Sequence, residues 1–545
     1  MKILWIDLNS SYAHSSLACP ALHAQLQGEN LWEWDMVSAT INEGVNGTVN
    51  EICNREPDII MATAWLFNQE KLMHIIDRVK ALRPQTICIL GGPEFLGNNE
   101  AFLRKYPSVD CVFRGEGEEQ FPNWLACWNK LEEWKNITGL CYIDSNNHYQ
   151  DNGLAKVFHF DQLKFPEESP YFNWDKPFVQ LETTRGCFNT CAFCVSGGEK
   201  PVRILPIETI RRRLQNIYAH HIKDVRVLDR TFNYHPQRAK ELLQLFREFH
   251  PHMRFHLEIH PALLSKELKE ELQSVPKGLL HLEAGIQSLH EAVLEKCQRK
   301  GKLADALEGL KFLCSLDNIV THADLIAGLP LYHLHDIFDD IRTLASYRTG
   351  EIQLELLKLL PGTEMRRKAK ELGIIYSPMP PYEVLQTNEM SFTELELARQ
   401  LSRLLDAYYN APAWQAITRK LILYKKRILH DFFTYLLHRG LIDQPLSLER
   451  RGMILYEYCK ENCPEFLNEV SVAWIEAGMS LKKQPAERVK TKRQTPPEFW
   501  TVIYGTYNES LRLCFLPTDD EGLHGYWFGF ESETQKITPV FKAQS

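Results

Sequence analysis

No run of 18 apolar residues occurs in this chain of 545, so nothing in it suggests a membrane-spanning helix. The opening stretch, MKILWIDLNSSYAH, has an apolar segment too short for a secretory signal, and Asp7 interrupts it. Excess charge of one sign is also missing. With 62 Lys and Arg against 70 Asp and Glu, the net charge of −8 provides no basic field to gather nucleic acid non-specifically. There is no Walker or GxGxxG phosphate loop and no internal repeat. Most of the 14 cysteines are scattered, as expected of reduced thiols in the cytoplasm. Cys459 and Cys463 could share a helix face, but they read as an ordinary pair of half-buried thiols. The rest of the composition, 44% hydrophobic and 24% charged, is that of globular material, and the length suggests about three to four domains.

Three cysteines are not scattered. Cys187, Cys191 and Cys194 lie in ETTRGCFNTCAFCVSGG with CxxxCxxC spacing, and Phe193 precedes the last of them. Three thiolates this close can hold a metal but hardly serve as packing. Structural zinc wants a fourth Cys or His at finger spacing, and the next ones, His220 and Cys297, lie far downstream. Three sulfurs instead suit three irons of a four-iron, four-sulfur cluster and leave one iron open to a small molecule. With its aromatic residue, the pattern resembles the signature of the radical S-adenosylmethionine (SAM) superfamily. The resemblance implies a 4Fe-4S cluster on the three cysteines, with SAM chelating the open iron through its amino and carboxylate groups.

From residue 178, apolar strand signals recur as FVQLET, DVRVLD, RFHLEI, LLHLEAG, HADLIAG and EIQLELLKL, separated by helical stretches such as PIETIRRRLQNIYAH. Six βα units over roughly 178 to 365 predict a partial barrel with its chemistry at the open end, and the cysteine loop follows the first strand. Glu258, Glu283, Gln287 and Asp324 sit in or just after these strands, where each could equally form a salt bridge or cap a helix. Together they resemble the SAM-binding strands of radical SAM enzymes. The resemblance places Glu258, Gln287 and Asp324, with Asp229, around the amino acid and ribose portions of SAM. Arg230 in LDRTFN and Leu331 after DLIAGLP depart from the family pattern.

The first third alternates KILWIDL, DIIMATA, TICILGG and VDCVF with helical stretches, which predicts parallel strands with ligands beyond their carboxyl ends. The strand ends carry NSSYAHSS, TAWLFN, GGPEF and RGEGEE, and paired glycines allow backbone to approach a ligand closely. This third resembles the cobalamin-binding domain that precedes many radical SAM cores, although the DxHxxG axial-ligand motif is absent. The resemblance implies cobalamin contacts from Ser10, His14, Ser15, Thr63, Trp65, Gly91, Gly92, Gly115, Glu116 and Gly117. His14 reads either as a cobalt ligand or as a polar loop residue, and Trp65 and Phe67 either flank the corrin or pack in the core.

The fold expected is α/β: a Rossmann-like parallel-sheet domain at 1–144, an extended linker at 145–177, a partial (β/α)6 barrel at 178–370, a helical domain at 371–480, and a basic linker with a small strand-rich appendage at 481–545. Lys420, Lys425, Lys426 and Arg427 read as a solvated helix surface. Taken together, the resemblances imply a cobalamin-dependent radical SAM enzyme that makes a 5′-deoxyadenosyl radical and methylates an unactivated carbon. Cyclisation or rearrangement without methyl transfer, and a sensor without turnover, are the other readings. RNA modification is disfavoured by the acidic balance and by the lack of a second cysteine trio. The implied partners are a small-molecule or peptide substrate and an electron donor such as flavodoxin or ferredoxin. No membrane partner is expected.

Overall fold

The computed structural model describes residues 1–26, 32–492, 511–518, 524–531, 536–538 and 540–544. The chain divides into two compact units, one of Met1–His333 with Leu356–Leu395 and the other of Leu334–Glu355 with Glu396–Ser545. No helix among the described residues is long and apolar enough to cross a membrane.

In the first unit, Lys2–Asn9 (β1) is buried along almost its whole length, because a parallel strand covered on both faces needs apolar side chains on both. Leu4, Ile6 and Leu8 join one core layer with Ile75, Ile76 and Val79 of helix Gln69–Leu82, while Ile3 and Trp5 join the opposite layer with Trp34, Trp124 and Trp134. Glu33–Thr40 (β2), Ile59–Thr63 (β3), Ile87–Gly91 (β4) and Cys111–Phe113 (β5) pair in the parallel order β2-β1-β3-β4-β5. Strand β2 is absent from the sequence reading, since EWDMVSAT carries charge and lacks the continuous apolar run of its neighbours. Leu140–Ile143 (β6) and Tyr149–Asp151 (β7) extend the sheet antiparallel. The extended linker expected from 145 therefore begins later: residues 149–151 belong to the sheet, and Ala155 still bridges to Gly115.

The barrel strands follow as Phe178–Leu181 (β8), Asp224–Val227 (β11), Arg254–Ile259 (β12), Leu280–Gln287 (β13) and Val320–Ala327 (β14), all parallel in that spatial order. Two short strands, Thr184–Arg185 (β9) and Arg203–Ile204 (β10), pair antiparallel between β8 and β11. In β13 the residues alternate buried and half-buried, so one face packs under helices while His281, Glu283 and Gln287 take the other.

The second unit contains helix Leu334–Ser346 and all but the last residue of the sixth expected strand, Glu351–Leu356. Its other helices include Pro412–Tyr424, Ile428–His438, Leu448–Asn462 and Leu467–Glu476. Trp414 and Trp474 meet at 6.4 Å over Gly452, where an added Cβ would lie 2.4 Å from the Trp414 ring. The long periodic segment 416–440 is two helices, because the exposed Lys425, Lys426 and Arg427 fall at the break. Lys490–Lys492, inside the expected basic linker, forms a four-stranded antiparallel sheet with Leu511–Pro517, His524–Glu531 and Phe541–Gln544. The segment WTVIYGTY lies outside the described residues.

Candidate active site

The β9–β10 pair closes residues 186–202 into a loop at the carboxyl end of β8. Gly186 has φ +100°, and a Cβ there would lie 2.7 Å from the Glu199 carbonyl oxygen, which itself accepts from Cys187 N at 3.0 Å. Only glycine fits that approach. At Gly197 an added Cβ would fall 2.4 Å from the Cys191 carbonyl. Ala192 N donates to the Cys297 carbonyl, and the Ala192 carbonyl accepts from Met365 N, so the loop is fixed on both sides.

The loop gathers the three predicted thiols. Cys187 and Cys191 are buried and Cys194 half-buried, all free, and each lies within electrostatic reach of the other two. Burial pushes the Cys191 and Cys194 thiols up, while Arg299 beside Cys191 and, for Cys194, the Ser196 amide and Arg230 act in the opposite sense. Arg299 donates to Cys191 Sγ at 3.6 Å and Asn189 N to Cys187 Sγ at 3.4 Å. Donors aimed at sulfur suit thiolates, and a three-sulfur set with cationic neighbours fits an iron–sulfur cluster with one open iron.

Next to the loop, the open face of β12 to β14 carries two rows of polar side chains. His256, His281 and His322 form one row, with His256 stacked on His281 at 4.7 Å. Beyond them, Glu283 takes His256 at 3.0 Å, and His322 meets Asp324 at 2.8 Å. Burial raises the carboxyls of Glu258 and Asp324, and neighbouring carboxylates raise them further. Glu283 is held below its ordinary range by its hydrogen bond from His256. Gln287 ends β13 at φ +71°, a strained backbone of the kind that accumulates at ligand sites, and its amide folds back over Gly285.

Asp229 behaves differently from the other expected SAM residues. It is 1% exposed, and its carboxylate accepts from Thr183 N and Thr184 N at 2.8 Å each and from the Thr183 hydroxyl. Its oxygens are committed to the turn that launches the cysteine loop, which makes it a positioning residue. The sequence places it after a strand but cannot show which way it faces.

A cavity of about 490 Å³ opens within the same unit, lined from one side by Asn9, Ser10, His14, Ser15, Trp65 and Phe67, and from the other by Gln180, Glu182, Arg185, Leu228 and Arg230. Its location follows from topology. Strand order reverses between β1 and β3, and the crevice of an open parallel sheet lies at that switch point. Asn68, which sequence reasoning missed, ties the two loops together, since its buried amide donates to the carbonyls of Leu8 and Thr63 and accepts from Trp65 N. Trp65 and Phe67 stack at 6.3 Å and remain 38% and 39% exposed. A large exposed aromatic pair in a cleft marks a ligand surface. His14 Nδ1 meets Ser11 Oγ at 2.9 Å, which leaves Nε2 open.

The other expected cobalamin residues lie off this cavity. Thr63 is buried in β3. A Cβ on Gly92 would lie 2.6 Å from the Ala64 carbonyl, and one on Gly115 would lie 2.2 Å from that of Ala155. These glycines allow chain to approach chain, not ligand. Gly91 would touch Phe113, and Gly117 would touch Leu22. Glu116 is taken by Arg203 and by Val157 N, and Arg185 binds Glu118 at 2.9 Å and Glu182 at 2.7 Å. RGEGEE is thus an ionic staple between sheet and barrel. Its arginine partners Arg185 and Arg203 lie 67 and 87 residues downstream of Glu118 and Glu116, beyond the reach of a local pattern.

Comparison with known proteins follows the same division. Residues 6–125 match the B12-binding domain family, residues 181–344 the radical SAM superfamily, and residues 370–476 a family described as a protein of unknown function, DUF4080. The chain is 23% identical over 368 residues to the cobalamin-dependent radical SAM methyltransferase TokK of Streptomyces tokunonensis, covering 63% of this chain and 52% of TokK. It therefore spans about half the length of the curated relatives it matches. Its fold is similar to that of the cobalamin-dependent SAM radical enzyme OxsB with aqua-cobalamin and SAM bound (TM-score 0.61, 14% identity, 87% of this chain and 78% of that one). It also resembles the radical SAM methyltransferase TsrM of Kitasatospora setae with cobalamin and a [4Fe-4S] cluster bound (TM-score 0.56, 15% identity, 73% and 81%).

Proposed function

Because this chain belongs to the radical SAM superfamily and carries a B12-binding domain ahead of that core, we propose that it is a cobalamin-dependent radical SAM methyltransferase acting on an unactivated carbon. The observation that carries the reading is the cavity at the β1/β3 switch point, whose far wall includes Arg230, a residue within electrostatic reach of Cys194 and 4.0 Å from Glu258. One wall thus belongs to the corrin side and the other to the cluster side. When bound, the cluster and SAM supply an organic radical that takes hydrogen from substrate, and cobalamin supplies the methyl group.

The chain's own residues hold and orient these groups. Cys187, Cys191 and Cys194 hold the cluster, while Asp229, Gly186 and Gly197 set the path of their loop. Glu258, Gln287 and Asp324 face the amino acid and ribose portions of SAM, where carboxylates accept from ammonium and hydroxyls. Arg230 sits where the two sites meet and partly neutralises Glu258. Ser10, His14, Ser15 and Trp65 form the corrin wall, and the Arg185–Glu118 and Arg203–Glu116 pairs hold the walls together. The substrate is a small molecule or peptide, and reduction calls for an external one-electron donor. A cytoplasmic setting is supported by the scattered spacing of most of the cysteines.

The test is turnover by the reconstituted, reduced protein given SAM and cobalamin with candidate substrates. Release of both 5′-deoxyadenosine and S-adenosylhomocysteine is expected. 5′-Deoxyadenosine without S-adenosylhomocysteine would favour rearrangement or cyclisation, and release of neither would overturn the enzymatic reading.

A further inference from the structure

A second cavity opens among the helices of the second unit. It has a volume of about 600 Å³, and Leu404, Leu436, Leu441 and Leu446 form its apolar wall. No residue assigned above to the cluster, SAM or the corrin belongs to this unit. Another wall is a π-helical turn, Leu405–Tyr409, closed by Asn410 N donating to the Leu405 carbonyl at 2.7 Å. Turns of this kind gather at functional sites. Here the turn buries two neighbouring tyrosines. The Tyr409 hydroxyl donates to the Thr349 carbonyl at 2.8 Å. That of Tyr408, which lines the cavity, has no hydrogen-bond partner among the described residues, although buried hydroxyls are normally paired. Phe432 holds the Tyr408 ring edge-on at 5.1 Å.

Four charged residues line the same cavity: Arg403, Asp406, Asp443 and Arg451. Arg403 and Asp443 pair with each other, and Asp443 also accepts from Gln400 Nε2 at 2.8 Å. The other two are left over. Half-buried Arg451 has no ion-pair or side-chain hydrogen-bond partner among the described residues, and its neighbour Arg450 is taken by Glu457 at 3.3 Å. Burial pushes the Tyr408 hydroxyl up, and of the nearby charges Arg451 acts on it most strongly in the opposite sense. Exposed Asp406 accepts from Asn410 Nδ2 at 3.1 Å but has no cationic partner among the described residues.

We propose that this cavity binds an apolar α-amino acid or short peptide as its zwitterion, the carboxylate on Arg451 and Tyr408, the ammonium on Asp406 and the apolar side chains on the leucines. A free guanidinium and a free hydroxyl suit a carboxylate, which accepts from both. A free carboxylate on the same cavity suits an ammonium, and the volume lies in the range of small-molecule sites. The proposal goes beyond the function above and needs neither cluster nor cobalamin.

The test is calorimetric titration of the full-length chain with leucyl-leucine, and with leucine as the smaller member of the class. Saturable binding below about 10 mM is expected. R451Q should weaken it about tenfold or more and Y408F about threefold, whereas K420Q, on an exposed helix surface, should bind as wild type does. Y408F should also match or exceed wild type in urea unfolding, because the hydroxyl it removes is unpartnered, so its weaker binding cannot come from misfolding. N-acetyl-leucyl-leucine and leucyl-leucinamide, each lacking one charge, should bind about tenfold more weakly. Absence of saturable binding by either probe would overturn the proposal. So would equal affinity in wild type and Y408F, or blocked peptides that bind as tightly as leucyl-leucine.

Discussion

Arg203 grips both oxygens of Glu116 through its two terminal nitrogens, at 2.6 and 2.8 Å. The side chains are only 13% and 17% exposed, so the pair works in a medium where leaving either charge alone is expensive. Arg203→Ala should destabilise the chain by about 3 kcal/mol in urea unfolding. Adding Glu116→Gln should cost much less than the sum, because the two residues act as a unit. Additive losses would show that the pair does not couple sheet to barrel.

The pH dependence of the chain without cluster or SAM should carry the signature of Glu258. Burial, and then Glu283 and Asp324, push its carboxyl from 4.5 up to about 7 against the pull of Arg230. The folded protein keeps a proton there that the unfolded chain releases near 4.5. The group's stabilising effect is therefore full below 4.5 and lost as pH rises through about 7. Glu258→Gln should flatten the urea midpoint across that window and be the more stable protein above it. An unchanged slope would contradict the burial of this carboxyl.

Gly186→Ala should disturb the cysteine loop without touching a cysteine. At φ +100°, with the Glu199 carbonyl 2.7 Å from the new Cβ, the loop must shift, at a cost of more than about 1 kcal/mol. Iron bound per chain after reconstitution should drop. Gly153→Ala also sits at positive φ but meets nothing within 4 Å, and should leave iron binding intact.

Trp65→Ala should weaken cobalamin binding about tenfold by removing one member of the exposed stacked pair, read from the visible absorption of bound corrin. Glu94→Gln, in the GGPEF loop but hydrogen-bonded at 2.6 Å to Tyr382, should leave cobalamin affinity close to wild type.

Much of this architecture was legible because it is local. Continuous apolar runs gave β1, β3 and β4. The CxxxCxxC loop needed no structure to be noticed, because its thiols are neighbours in sequence. The illegible parts depend on orientation or distance. Asp229 and Glu258 both lie at strand ends, yet one faces a turn and the other the open barrel face. Gly92 and Gly115 meet backbone because of how distant segments cross, and Glu116 and Arg203 are 87 residues apart. The cavity was half legible: Ser10, His14, Ser15 and Trp65 on one side of it stand at strand ends that the sequence marks, whereas Glu182, Arg185 and Arg213 are found only when the sheet meets the barrel.

The most direct test of the central claim is metal analysis of the protein purified without oxygen in the presence of hydroxocobalamin and reconstituted with iron and sulfide. The account predicts about four iron and four sulfide per chain together with about one cobalt, and Cys191→Ala should lose the iron while keeping the cobalt. Iron without cobalt would contradict the cobalamin-dependent reading, and a Cys191→Ala variant that keeps its cluster would contradict the site itself.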